Sequence, residues 1–461
     1  MQSLKKNISL SALVSLGAGG VIGSSWIYTN SRFFKTYGAG GEIFGLLVAA
    51  ILAILVSLSF AELSTTFPKA GGEVVWGYAA FGKVGALFSG WALIGAYISI
   101  LSFFVMAFGF LISSIFPQIA VGPYYIFIGT KVYWLELSLG VLITFLVFLI
   151  NYFGAKLTGN IQIILFALLI ILGLGLVIVG FLRGKPSNFI PSFYQGQNHF
   201  WSIFRFLLPA MTFLTGWESV ATMAEEAKMT SKKIGITVIL SIVIAAIYYI
   251  LVLLSSAWIF PWKATTHMQM GTIDAFKSAG YPILSVFAYI ISFLGLATST
   301  LTLFTAASRL VFSLARGKIL PAYFSKIHPK YHTPTRAIWL VFILILALGW
   351  IGEGGLTYFL DMGGFLIALV WSFSSLCLWE IRYQYPGLYG SFYNKHLFFP
   401  LMGGLIALVV ALVTLIPKTP ISLVWPYEYV ILGIWCLLGA ISYGLKKNQT
   451  RKFPQNLWVL I

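Results

Sequence analysis

Two short stretches hold the residues whose chemistry could act on a small ligand. The first, SLGAGGVIGSSWIYTN over residues 15–30, places Gly17, Gly19, Gly20 and Gly23 close together and follows them with Ser24 and Ser25. The second, FLTGWESVATMAEE over residues 213–226, holds Gly216, Trp217 and Glu218 shortly after Pro209. Both lie where an apolar run should be deepest in a bilayer, and a backbone amide freed there is costly unless something satisfies it. An unwound segment offers amides at the start of the following half-helix, which attract an anion, and carbonyls at the end of the preceding one, which attract a cation. A zwitterion satisfies both. The α-carboxylate is expected on the amides of Gly23, Ser24 and Ser25, and the α-ammonium on the carbonyls near Gly19, Gly20 and Val21 and of the stretch Thr212, Phe213 and Thr215. Glycine permits both the open backbone and the close approach. Small residues that merely pack helices tightly are the competing reading, and the second break weighs against it.

The elements that must position these residues are membrane helices. The chain has 461 residues, 59% hydrophobic and 9% charged, with a mean hydropathy of +0.93, a balance that a wetted surface excludes. Apolar runs long enough to span fall at about 8–33, 42–66, 84–115, 135–155, 158–182, 202–223, 234–257, 282–314, 336–351, 355–379, 397–416 and 427–445. The expectation is an all-α membrane protein of 12 spans. With the N-terminus cytoplasmic, 19 Lys and Arg fall on inner segments and eight on outer ones, which sets both termini inside by the positive-inside rule. The net charge of +17 is therefore an orientation signal, with no nucleic acid implied. No polar stretch is long enough to fold alone, so residues 1–461 read as one transmembrane domain. The first and sixth spans are five apart and run in opposite directions. Corresponding interruptions in two halves point to an inverted repeat, about 8–182 and 202–379, around a mid-membrane site, with extra helices at about 397–445.

Ionisable and hydroxyl residues within spans are the next candidates, because charge there is costly. Glu218 follows the second break and is expected to brace it or to titrate during transport. Glu62 is expected to anchor a closed inner gate with Lys69 or Lys156. Glu225 and Glu226 read as a solvated cluster beside Lys228, Lys232 and Lys233 at the cytoplasmic mouth, with a gate latch as the alternative. Thr298 and Ser299, with carbonyls of the first break, form a possible ion site; hydrogen bonds to their own helix are the alternative. Trp26, Phe213, Trp217 and Trp91 are aromatic lining candidates. Cys377 and Cys436 read as small apolar residues, and the five histidines lack metal-site spacing. No catalytic constellation, metal or cofactor is expected.

These motifs resemble the amino acid/polyamine/organocation (APC) superfamily of secondary transporters. GAGGVIGSSWIYTN is similar to its first-helix signature, AELSTTFPKAGGEVVWGYAAFG to its Pro-x-x-Gly-Gly pattern, and GWESVATMAEEAKMTSKKI to the segment after its sixth-helix break. A fourth patch, AASRLVFSLARGKILPAYFSKIHPKYHTPTRA, follows in the right order. The resemblance implies the APC fold: five plus five inverted helices with two more after them, helices one and six unwound mid-membrane, and alternating access to a site between helices one, three, six, eight and ten. It places the substrate-facing amides at Ser24 and Ser25 and the carbonyls at Val21, Thr212 and Thr215. Two departures stand out: Ser25 and Trp26 replace smaller residues, and the lysine that several relatives carry in the fifth span is missing, with Leu169 near its place. The expected function is secondary transport of a neutral, apolar or aromatic amino acid across the cell membrane, proton-coupled or by exchange. Sodium-coupled symport, amino acid/amine antiport and a transporter-like nutrient sensor are the alternatives. Oligomeric state is left open.

Overall fold

The computed structural model describes residues 4–23, 25–127, 130–352, 355–392 and 395–447. Helix α1 (Leu10–Val21) starts where the Ser9 hydroxyl accepts the Ala12 amide. It stops at Ile22, whose backbone leaves the helical region. Helix α2 (Ser25–Thr66) follows and is kinked at Gly38, the position whose φ of +76° suits glycine. Helix α3 (Gly72–Ile115) folds back near its start, where Phe81 and Gly82 depart from helical angles. A hairpin of β1 (Tyr124–Phe127) and β2 (Thr130–Tyr133) leads into α4 (Trp134–Phe153) and α5 (Ala155–Arg183).

Helix α6 (His199–Phe213), capped by Asn198, ends just before Gly216. The single turn α7 (Ser219–Thr222) follows, then α8 (Ser231–Ile259), the short α9 (Trp262–Thr265) and α10 (Gly271–Ser278). Helix α11 (Pro282–Arg316) opens on a proline, which needs no hydrogen-bond partner for its nitrogen there. The chain closes with α12 (Thr335–Leu348), α13 (Leu356–Gln384), α14 (Phe398–Leu415) and α15 (Tyr427–Lys447).

The centre of the bundle is where α1, α2, α3, α6, α8, α11 and α13 meet, with α3 packed on α13 and α11, and α2 on α8 and α6. Helix α15 lies at the edge and keeps a largely exposed apolar face, as a lipid-facing helix must. Among the described residues nine helices are long and apolar enough to cross a membrane. One of these candidates, Leu10–Thr66, takes α1 and α2 together over 57 residues, which at ~1.5 Å per helical residue exceeds two bilayer cores of about 30 Å. Helices α6 and α12, with 15 and 14 residues, fall short of the ~20 that a straight span needs. The difference from twelve apolar runs comes from kinks and breaks: apolar length survives a bend, and helix length does not.

Candidate functional site

The two sequence breaks lie against each other. Gly216 has a φ of +130°, and a Cβ built on it would sit 2.5 Å from the carbonyl carbon of Gly20. A bulkier residue at Gly216 would push the two breaks apart. The glycines of α1 divide in their work. Cβ atoms on Gly17, Gly19 and Gly20 would meet Ser241 Oγ at 2.1 Å, Gln162 Nε2 at 2.6 Å and Thr302 Cγ2 at 2.5 Å, so these three let neighbouring helices approach. Gly23 is different: its nearest neighbour would be Ser299 Oγ at 3.3 Å, and it borders a cavity.

That cavity is lined by Gly20, Val21 and Gly23 from the first break and by Thr212, Phe213 and Thr215 from the second, with Ser299 beside them. Sequence reasoning did not supply the rest of the wall: Ile100, Phe103 and Phe104 of α3, Tyr249 of α8, Leu303 of α11, and Phe359 and Leu360 of α13. Apart from the Tyr249 phenol, no side chain among the described residues of this lining is ionisable. Of the aromatic candidates only Phe213 lines it. Trp26 packs edge-on against Tyr249 at 4.6 Å between ring centres and donates from Nε1 to the Gly23 carbonyl. Trp217 packs between Phe60 and Trp371, and Trp91 stacks on Trp435.

The backbone groups of the breaks are partly engaged. The Gly23 amide donates to the Val21 carbonyl at 2.6 Å, so it is turned inward rather than presented to the cavity. Ser24 lies outside the described residues, and Ser25 is the first residue of α2. The Tyr249 hydroxyl lies against the Val21 carbonyl and 3.2 Å from the Phe213 carbonyl, joining the ends of the two half-helices through one oxygen. The Thr212 hydroxyl donates to the Leu360 carbonyl at 2.7 Å, tying α6 to α13, and Thr215 bonds back to Met211 within its own turn.

Glu218 is fully buried, and its two oxygens have distinct partners. One accepts the Gly216 amide at 2.7 Å and the other the Trp371 indole N–H at 2.6 Å. It braces the second break against α13. Thr298 bonds to Gly295 in its own helix. Ser299 instead reaches across and donates to the Gly20 carbonyl at 2.8 Å. In the fifth apolar run Gln162, two turns before Leu169 on the same helical face, donates to the Ser15 carbonyl of α1 at 3.0 Å.

The acidic residues near the ends of these helices differ from their sequence reading. Glu62 pairs with Arg382 of α13 at 2.8 Å, a partner 320 residues away, in place of Lys69 or Lys156. Glu225 and Glu226 are buried, not solvated. Glu226 holds the fully buried Arg309 through two bonds of 2.7 and 3.0 Å. Glu225 takes Arg316 at 2.9 Å together with the amides of Leu4 and Ala70, each at 2.9 Å. Burial works to raise the proton affinity of the Glu225 carboxyl, but the Arg316 guanidinium and the two amides outweigh it and hold the group below its ordinary range. The lysines that follow in sequence had drawn attention from the arginines that α11 brings from the far side of the chain.

Comparison with known proteins fits this geometry. A family model for amino acid permeases matches residues 8–437. The branched-chain amino acid permease BcaP of Lactococcus lactis is 24% identical over 457 residues, which is 95% of this chain and 94% of that protein. The methylthioribose transporter of Bacillus subtilis is 26% identical over 402 residues, 85% of this chain and 84% of its own. The chloroplastic cationic amino acid transporter 7 of Arabidopsis thaliana is 24% identical over 364 residues, 75% of this chain and 61% of its own. These relatives are membrane transporters, not enzymes. The chain belongs to the amino acid permease family of the APC superfamily and is a multi-pass membrane protein.

Proposed function

We propose that the protein is a secondary transporter of neutral, apolar amino acids, working by alternating access around the cavity between the two breaks. One observation carries the substrate class: the lining gathers Ile100, Phe103, Phe104, Phe213, Leu303, Phe359 and Leu360 and, among the described residues, brings no carboxylate, ammonium or guanidinium. A charged substrate side chain would be left unpaired there. The Val21 and Phe213 carbonyls are the seat for the substrate ammonium, reached when the Tyr249 hydroxyl gives way or shares them. The carboxylate seat is the start of α2, on the amides of Ser24 and Ser25, with Gly23 keeping the approach open. The branched-chain permeases among the relatives agree with this class.

In this reading the chain crosses the cell membrane twelve times with both ends cytoplasmic. Leu10–Thr66 supplies two crossings, α6 and α7 together one, and α12 one. The halves about 8–182 and 202–379 form the inverted repeat. Transport is proton-linked or by exchange. A sodium-coupled reading rests on Ser299, whose hydroxyl already meets the Gly20 carbonyl; it receives no help from Thr298.

Purified protein in proteoliposomes loaded with unlabelled leucine should take up radiolabelled leucine by counterflow, and lysine and glutamate should compete poorly. Absence of counterflow for leucine, lysine, glutamate and serine alike would refute the reading. Sodium-dependent accumulation lost in Ser299→Ala would replace proton-linked uptake with sodium symport.

A further inference from the structure

Away from the cavity, the hairpin of β1 and β2 carries a face that the described residues leave uncovered. Strand alternation and register put Tyr125, Phe127, Thr130 and Val132 on one face. That face seats on the end of α12: the Tyr125 hydroxyl donates to the Trp350 carbonyl, the Phe127 and Trp350 ring centres lie 5.0 Å apart, and a Cβ on Gly352 would meet the buried Val132 at 2.4 Å. Tyr124, Ile126, Lys131 and Tyr133 share the opposite face. Tyr124 is 45% exposed and Ile126 64%, the Tyr124 and Tyr133 ring centres stand 5.6 Å apart, and the Lys131 ammonium lies 4.7 Å from the Tyr124 ring centre. Among the described residues no carboxylate pairs with Lys131.

The base of the hairpin fixes its depth. The Trp134 amide donates to the Pro123 carbonyl at 3.1 Å, so Tyr124 and its partner Tyr133 sit level with the first turn of α4. That helix has 20 residues, which at ~1.5 Å each match a hydrocarbon core of about 30 Å. Leu135, Leu142 and Leu146 recur at helical spacing and are exposed, an apolar flank for lipid. Trp134, also exposed, joins that flank to the hairpin, its ring centre 5.3 Å from that of Tyr125.

Two constraints bracket the layer in which the hairpin lies. A two-stranded ribbon leaves the amides and carbonyls of its outer edges without a ladder partner, which excludes the hydrocarbon core. An isoleucine and two tyrosines turned outward beside a lipid-facing helix are ill placed in open water. Between the two lies the headgroup layer, where the amphipathic rings of tyrosine and tryptophan and the long apolar stem of lysine are favoured. A second copy of the chain is a poorer occupant. Four residues per strand at ~3.3 Å each, in two strands ~4.8 Å apart, give a face on the order of 130 Å², against the ~800 Å² that each partner buries in a stable interface.

We propose that this face binds the phospholipid headgroup layer, with Tyr124, Ile126 and Tyr133 resting on the acyl boundary and the Lys131 ammonium donating to a lipid phosphate. The hairpin thereby anchors two helices at one depth: α4, and α12, whose 14 residues leave no length for headgroup contacts of its own. In the topology proposed above this is the outer leaflet.

The test uses the full-length protein with Cys377→Ala and Cys436→Ala, in nanodiscs of equal parts phosphatidylcholine and phosphatidylglycerol. A nitroxide is attached at Ile126→Cys, and reference labels are placed at Gln195→Cys in an exposed loop and Leu142→Cys on the lipid flank of α4. Collision with oxygen and with a water-soluble nickel chelate reads depth, so no transport is needed. The ratio of oxygen to nickel collisions at 126 should fall between those at 195 and 142. A ratio equal to that at 195 puts the hairpin in water and overturns the proposal; one equal to that at 142 puts it in the core and overturns it too. A label screened from both reagents is covered by protein, which equally refutes a lipid partner, and dipolar broadening between labels would identify a second copy. Lys131→Glu and Lys131→Gln should shift the label at 126 toward the pattern at 195, and Lys131→Arg should leave it in place. The same ratio in all of these overturns the phosphate contact.

Discussion

A single phenol holds the centre of the site. Tyr249 touches the carbonyl ends of both half-helices, so Tyr249→Phe frees two acceptors and should change substrate binding without disturbing the apolar lining. A neutral hydrogen bond is worth about 0.5–1.5 kcal/mol net, roughly threefold to tenfold in affinity; leucine binding measured by scintillation proximity should shift by that much, and no shift would mean the hydroxyl is a bystander. Gly23→Leu should abolish the same binding, because its side chain grows into the cavity past Ser299 and Phe104. Leucine methyl ester should bind as poorly to wild type as leucine does to that variant. Equal affinity in all three comparisons would move the substrate elsewhere. At this scale the sequence exposed the glycines and hydroxyls, since only a break makes such residues sensible in an apolar run. It could not expose Tyr249, which is one of two tyrosines in an ordinary apolar helix, nor separate the packing glycines Gly17, Gly19 and Gly20 from Gly23, because that distinction depends on which helix lies opposite.

The crossing of the two breaks is a property of elements. Gly216 occupies a left-handed backbone angle with the Gly20 carbonyl 2.5 Å from any added Cβ. Gly216→Ala therefore meets both a strained angle, of order 1–3 kcal/mol, and a clash with backbone that cannot rotate away. Thermal unfolding in detergent should show a clear loss of stability, while Gly433→Ala, where a Cβ would meet nothing within 4 Å, should leave it unchanged. Apolar run length located most helices to within a few residues. The reversal within α3 escaped it, since Phe81–Gly82 sits in an apolar context and nothing local shows that Gly77 and Gly85 will touch. The lining residues of α3 and α13 were hidden for the same reason: their apolar side chains read like any lipid-facing residue until the partner helix is known.

For the molecule as a whole, the informative charges are the ones that are not in water. Glu225 joins Leu4, Ala70 and Arg316, and Glu226 holds Arg309, so this end of the bundle is closed by a buried latch. Glu225→Gln should loosen it, and hydrogen–deuterium exchange should show faster exchange of the amides of residues 4–8; unchanged protection there would deny Glu225 this role. The sign of its pH dependence follows from its lowered proton affinity. A carboxyl depressed in the folded state contributes stability above its unfolded value, and that contribution is lost as pH falls through the folded one. The latch should then hold unchanged through neutral pH and release only in acid, below the ordinary 4.5. Labelling of single cysteines at positions 190 and 447 should place them on opposite faces of the membrane. The latch also constrains how the protein is made. Residues 4–8 leave the ribosome well before their partners Glu225, Glu226 and Lys228, which are more than two hundred residues behind. This segment must wait through the insertion of the helices between before its amides are satisfied, so its docking is a late step of biogenesis and a natural checkpoint for whether the elements on either side have come together.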